Sequence, residues 1–128
     1  MDIPSLKKTL VTCLLDITGD GPLKGNKLIL ATAAGMIIGE PISDEDVSEL
    51  KVEDLNEPSK VTLKVLTSCA ESCSEGYKKA HNVDYPLSGN DGYVVLKNAT
   101  LKTLNAEYVL ASFIVFYDQI IGVSIGNP

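Results

Sequence analysis

Two stretches in the last third of the chain decide the fold: Tyr93-Val-Val-Leu-Lys-Asn-Ala-Thr-Leu-Lys102 and Tyr108-Val-Leu-Ala-Ser-Phe-Ile-Val-Phe-Tyr-Asp-Gln-Ile-Ile-Gly-Val-Ser-Ile125. β-Branched and aromatic residues dominate both, which suits strands. The second is about as long as a membrane span, yet it carries Ser112, Asp118, Gln119, Gly122 and Ser124. A central aspartate would cost about 2.5–3.5 kcal/mol in a spanning helix, so the run reads as core sheet and no membrane partner is expected. An ordinary strand has about 5–6 residues. The run must therefore bend or turn, near Asp118-Gln119 or Gly122.

Upstream, the segment 60–68 alternates, with Val61, Leu63 and Val65 on one side and Lys60, Thr62 and Lys64 on the other. That pattern predicts a half-exposed strand. Lys27–Thr32 and Met36–Pro41 are apolar runs joined around Ala34-Gly35, a first hairpin within 23–42. The segment 1–19 reads as an amphipathic helix over 2–18, with Ile3, Leu6, Leu10, Cys13, Leu14 and Ile17 on one face. Asp2 caps it, Pro4 sits in its first turn, and Gly19 opens a turn through Pro22. Residues 69–92 read as a polar loop with one or two helical turns around 70–80. One helix followed by five or six strands, with no βα alternation, predicts a mainly-β fold. Its expected form is a strongly bent antiparallel sheet or small open barrel. A length of 128 residues makes a single domain with a real core the expectation.

The formal charge of −6 is unevenly spread. From Glu40 to Pro58 there are eight acids against one base, Lys51, so that segment carries −7 and the remainder +1. Within this acidic insert, 43–58, Ser43-Asp-Glu-Asp46 resembles a capping box for a short helix using Val47, Leu50 and Leu55, with Pro58 ending it. All eleven bases are lysine, tryptophan is absent, and there is one histidine. Arginine forks for phosphate and a multi-histidine metal site are thereby excluded. The paired lysines Lys7-Lys8 and Lys78-Lys79 do not interleave with aromatics, which argues against a nucleic-acid partner.

The pattern resembles the Sm-like small-barrel family, in which an N-terminal helix precedes a five-stranded, strongly bent sheet. The similar stretches are Leu23-Lys-Gly25-Asn-Lys-Leu28-Ile-Leu30, Gly35-Met-Ile-Ile-Gly39, Tyr93-Val-Val-Leu96-Lys-Asn-Ala99 and Phe113–Ile125. Other SH3-like barrels, such as the PRC-barrel type, share the G-x-x-I-G second strand. The resemblance implies self-association through exposed edge strands. At the closing turn, where Sm-like proteins place Arg-Gly or Lys-Gly beside an RNA pocket, this chain has Asp118-Gln119. An anion replaces the cation there, so RNA binding does not transfer, and this turn is the position singled out for function.

Local chemistry is sparse. Cys69 and Cys73, at i and i+4, would share a helix face and could ligate metal or act as thiols, with Tyr77 and His81 next along the same row. On a continuous helix Cys73 and His81 lie about 12 Å apart, too far to share one ion unless Gly76 breaks the helix. His81, followed by Asp84, has no nucleophile signature beside it. No catalytic residue and no cofactor motif is identified, since no G-x-x-x-x-G-K-[ST] phosphate loop occurs. Carboxylates such as Asp44, Asp46, Glu53 and Asp54 lack calcium-loop spacing and read as a solvated face. The N-terminal residues show no basic-then-apolar signal, and three cysteines, an odd number, fit free thiols in a reducing cytoplasm. The expectation is a non-catalytic, self-associating interaction or scaffold module. The alternatives are an RNA-binding Sm-like regulator and a thiol or metal protein using Cys69 and Cys73.

Overall fold

The computed structural model describes residues 5–19, 25–43, 46–81 and 91–127. The expected cap at Asp2, the turn at 20–22 and Asp84 lie outside them. The architecture is an N-terminal helix, a five-stranded antiparallel sheet and a second, longer helix. In chain order the elements are α1 (Leu6–Gly19), β1 (Lys27–Thr32), β2 (Gly35–Pro41), a 3-10 turn (Val52–Asn56), α2 (Pro58–His81), β3 (Tyr93–Lys102), β4 (Glu107–Phe116), a second 3-10 turn (Tyr117–Gln119) and β5 (Ile120–Gly126).

The strand order is β4-β3-β2-β1-β5, so β4 and β5 are the two edges. A flat five-stranded sheet would hold those edges about 19 Å apart, four spacings of about 4.8 Å. Yet only the three-residue turn Tyr117–Gln119 connects them. At about 2 Å per residue a 3-10 turn cannot cross that gap. The sheet must curl until its edges approach at this end, although it does not close. Two bulges supply bend. Opposite Gly39, β3 carries one extra residue, where Asn98 adopts φ 49° and donates from Nδ2 to Glu40 Oε2 at 3.1 Å. In β5, Ile121 is the extra residue between the partners of Ala31 and Thr32.

Glycine permits the close approach of β2 to β3. A Cβ on Gly39 would lie 2.8 Å from Leu96 Cβ, and one on Gly35 would strike the Lys102 carbonyl. The concave face holds the core, with Leu28, Leu30, Ile37, Leu96, Ala99, Val115 and Ile120 among its buried members. From α1, Val11 enters this core, and Leu14 and Leu15 pack against it.

The first hairpin, the strand at 93–102 and the break of 108–125 at Asp118-Gln119 are where the sequence places them. The strand expected at 60–68 is instead the first half of α2, a 24-residue helix running unbroken through Gly76 to His81. Alternation of Val61, Leu63 and Val65 mimics a strand, but Val65 faces solvent, while Leu63, Lys64, Thr67 and Lys78 are buried at helical spacing. Pro58 begins this helix, directly after the 3-10 turn that ends at Asn56, as its fixed φ and missing N–H allow. The Glu57 carbonyl accepts the N–H groups of Lys60 and Val61 at 3.0 and 3.2 Å. Buried Thr67 satisfies its hydroxyl on the Leu63 and Lys64 carbonyls, both at 3.0 Å. Consequently the polar loop expected over 69–92 is helical to His81, and its residues 82–90 lie outside the described part.

Two further expectations change. Among the described residues the insert's helical stretch is only the 3-10 turn Val52–Asn56, which takes in Leu55 but not Val47 or Leu50, and all three are exposed. The Ser43–Asp46 bonds close only a turn, with Ser43 N–H donating to Asp46 Oδ2 at 2.8 Å. On α1 the buried stripe is Val11, Leu14, Leu15 and Thr18, rotated from the expected face, which leaves Leu6 83% exposed. Thr18 can be buried because its hydroxyl donates to the Leu14 carbonyl at 2.8 Å.

Candidate functional site

Three places carry the residues singled out from sequence. The first is the C-terminal half of α2. Cys69, Cys73, Tyr77 and His81 do form one ladder along this helix, and both thiols are reduced and exposed. His81 ends that ladder as a structural group. Its Nδ1 donates to the Tyr77 carbonyl at 2.9 Å, and the two rings lie 4.3 Å apart. Lys78 and Lys79 place cationic side chains in the same last turn, where the helix dipole is negative. Because the helix is continuous, Cys73 and His81 remain about 12 Å apart. Among the described residues, no three His, Cys, Asp or Glu side chains converge to hold a metal ion.

The thiols line an apolar groove of about 450 Å³ between α2 and the outer face of β4. Leu66, Cys69, Cys73 and Tyr77 form its helix wall, and Ile114 and Phe116 its strand wall. Strand alternation explains the division. Val115 points into the core, so its neighbours Ile114 and Phe116 point outward, and Phe116 remains 58% exposed. Sequence reading grouped the thiols correctly but missed the groove, because it placed no helix over this part of the sheet.

The second place is the closing turn. Asp118 and Gln119 are exposed on the 3-10 turn joining the sheet edges, with Gln119 Nε2 donating to Asp118 Oδ1 at 3.4 Å. The lysines at the start of α2 pair within their own region, Lys60 with Glu57 at 3.1 Å and Lys64 with Asp54 at 2.7 Å. Beside this turn Tyr117 is buried, and Lys8 Nζ stands 5.4 Å above its ring while donating to the Asp91 carbonyl. Burial lowers the Lys8 ammonium from its ordinary range. Asp91 opposes that shift, and Lys78 adds to it.

The third place is the acidic insert, which is more than a solvated face. Lys64 Nζ donates to Asp54 Oδ2, to Ser48 Oγ at 3.1 Å and to the Glu49 carbonyl at 3.2 Å. The Lys64 hydrogen bond and the Lys51 backbone N–H hold the Asp54 carboxyl below the usual carboxylate range against the opposing effect of burial. Burial pushes the Asp46 carboxyl up, but hydrogen bonds from Lys97 at 2.9 Å and from Ser43 outweigh it and hold it low. Asp54 and Asp46 thus tie the insert to α2 and to β3.

Among the described residues no helix is long and apolar enough to cross a membrane. Compared with known proteins, the chain matches no family model, no curated protein and no solved structure.

Proposed function

We propose that this chain is a non-catalytic interaction or scaffold module that assembles with copies of itself through the two edges of its curled sheet. One observation carries the reading: among the described residues β4 and β5 are both unpaired along one side, and beyond Glu107 at the start of β4 neither strand contains a charged residue. Edge strands that remain in water are usually blocked by lysine, proline or inward-pointing charge. Here apolar side chains line them instead, with Val109 78% exposed on β4. An N-terminal helix preceding a five-stranded bent sheet is also the arrangement implied by the Sm-like resemblance, which supports placing the chain near that architecture. Asp118 at the closing turn argues against the RNA-binding alternative, since an exposed carboxylate repels phosphate. For the thiol alternative, no base among the described residues hydrogen-bonds to Cys69 or Cys73. Sedimentation velocity over a micromolar concentration series tests the reading. Species heavier than one chain support it, and a single monomeric species throughout contradicts it.

A further inference from the structure

We propose that Cys69 and Cys73 form a two-thiolate site for a soft monovalent cation of the copper(I) class, held in the apolar groove between α2 and β4. The helix fixes the spacing. Because α2 runs unbroken from Pro58 to His81, the two residues stand one turn apart on the same row, with Cβ atoms about 5–6 Å from each other. A disulfide needs about 3.5–4.5 Å between its Cβ atoms, so this pair is too far apart to close one. Both thiols are free. An ion between the sulfurs sets a different requirement. Two metal–sulfur bonds of about 2.3 Å in line span about 4.6 Å, which side chains on this row reach by rotating about χ1. The spacing that forbids the disulfide suits a bridging ion.

Ligand number selects the ion. Zinc in a structural site takes four protein ligands, and among the described residues no third His, Cys, Asp or Glu converges with the two thiols. His81 lies about 12 Å beyond Cys73 with its Nδ1 on the Tyr77 carbonyl. Asp91 lines the groove, but its charge acts on the Lys8 ammonium and its carbonyl accepts from it. Soft thiolates favour copper(I), whose filled d shell accepts two of them in a line. The walls favour the low coordination number as well. Leu66, Ile114 and Phe116 bring no side-chain donor atom that would raise it, and an apolar surround limits the water that would. Both thiols are nevertheless exposed, so the ion enters from solvent. Binding releases the two thiol protons to solvent, forms two copper–sulfur bonds and changes no oxidation state. The site needs no base beside the thiols, which separates it from nucleophilic thiol chemistry. It also needs no second chain, and so goes beyond the self-association reading.

Anaerobic titration of dilute, reduced protein with copper(I), presented as its coloured bicinchoninate complex, tests this. The native chain should withdraw one ion per chain. Maleimide trapping read by mass spectrometry should then find Cys69 and Cys73 protected and Cys13, on α1, still reactive. Cys69→Ser and Cys73→Ser should each lose affinity by about a hundredfold or more, as when one arm of a bidentate grip is removed, while Cys13→Ser binds as the native chain does. The double change Cys73→Ala/Ser74→Cys keeps two thiols on the helix but turns one off the shared row, and should lose affinity as fully as the single variants. Circular dichroism checks that each variant keeps its helices. No withdrawal of copper by the native chain, full binding by either single serine variant, or binding indifferent to the change of row overturns the site. Half an ion per chain also overturns it, since the ion then bridges two copies. Assembly through the sheet edges, measured without copper, stands or falls separately.

Discussion

Lys64 Nζ lies 2.7 Å from Asp54 Oδ2, and each side chain is only 4% exposed. The pair joins α2 to the acidic insert across ten residues of sequence. Removing one partner strands a buried charge, which costs far more than losing a surface pair. Lys64→Met should therefore lower Tm by about 10 °C in a thermal melt. The double variant Lys64→Met/Asp54→Leu should recover much of that loss, because no lone charge remains. Equal losses in the single and double variants would show that the pair does not hold the insert.

Acid should weaken the same region. Asp54 and Asp46 have carboxyls held low in the folded chain, so folding favours their ionised forms. Their stabilisation is complete above the unfolded carboxyl value of about 3.9 and fades as pH falls through the lower folded values. Melts should be nearly flat from pH 7 to 5 and then drop steeply below about pH 4. In Asp54→Asn the drop should be shallower.

Two glycines should respond in opposite directions to alanine. At Gly39 the new methyl would meet Leu96 Cβ at 2.8 Å, and overpacking of this kind costs about 1–3 kcal/mol. At Gly76, in mid-helix, a methyl meets nothing within 4 Å, so Gly76→Ala should stabilise α2 by about 0.5–1 kcal/mol. Chemical denaturation of the two variants measures both. A neutral Gly39→Ala would mean that β2 and β3 are less tightly apposed than described.

The closing turn predicts weak or absent RNA affinity. With Asp118 exposed and no arginine in the chain, uridine-rich RNA should not be retained at low salt in a gel-shift or fluorescence-anisotropy titration. Binding that falls steeply as salt rises would instead reveal phosphate contacts and favour the RNA-binding alternative.

What the sequence discloses follows the range of the forces involved. The first hairpin and the turn at Asp118-Gln119 are local features, fixed by apolar runs and their interruptions, and they are legible. The long helix is not, because Val61, Thr62, Val65 and Thr67 favour strands by propensity, and only tertiary packing of Leu63, Thr67 and Lys78 decides for helix. Pro58 held the missed signal, since proline opens helices as readily as it stops them. On α1, the choice between the Leu6–Leu10 and Val11–Leu15 faces depends on which way the helix docks, which no helical period contains. The apolar groove is invisible for the same reason. It exists only once α2 is laid against β4, and so the thiols could be grouped without knowing what they line.

The central claim is that the edges β4 and β5, free of charge beyond Glu107, are joints between copies. Its most direct test is the absolute mass in solution, by light scattering coupled to size exclusion, of the native chain and of Val109→Lys and Ser124→Lys. A native mass that is a multiple of 13.7 kDa, falling to 13.7 kDa in both edge variants, is the predicted result. A native mass of 13.7 kDa at every concentration, or an assembly indifferent to both lysines, would contradict it.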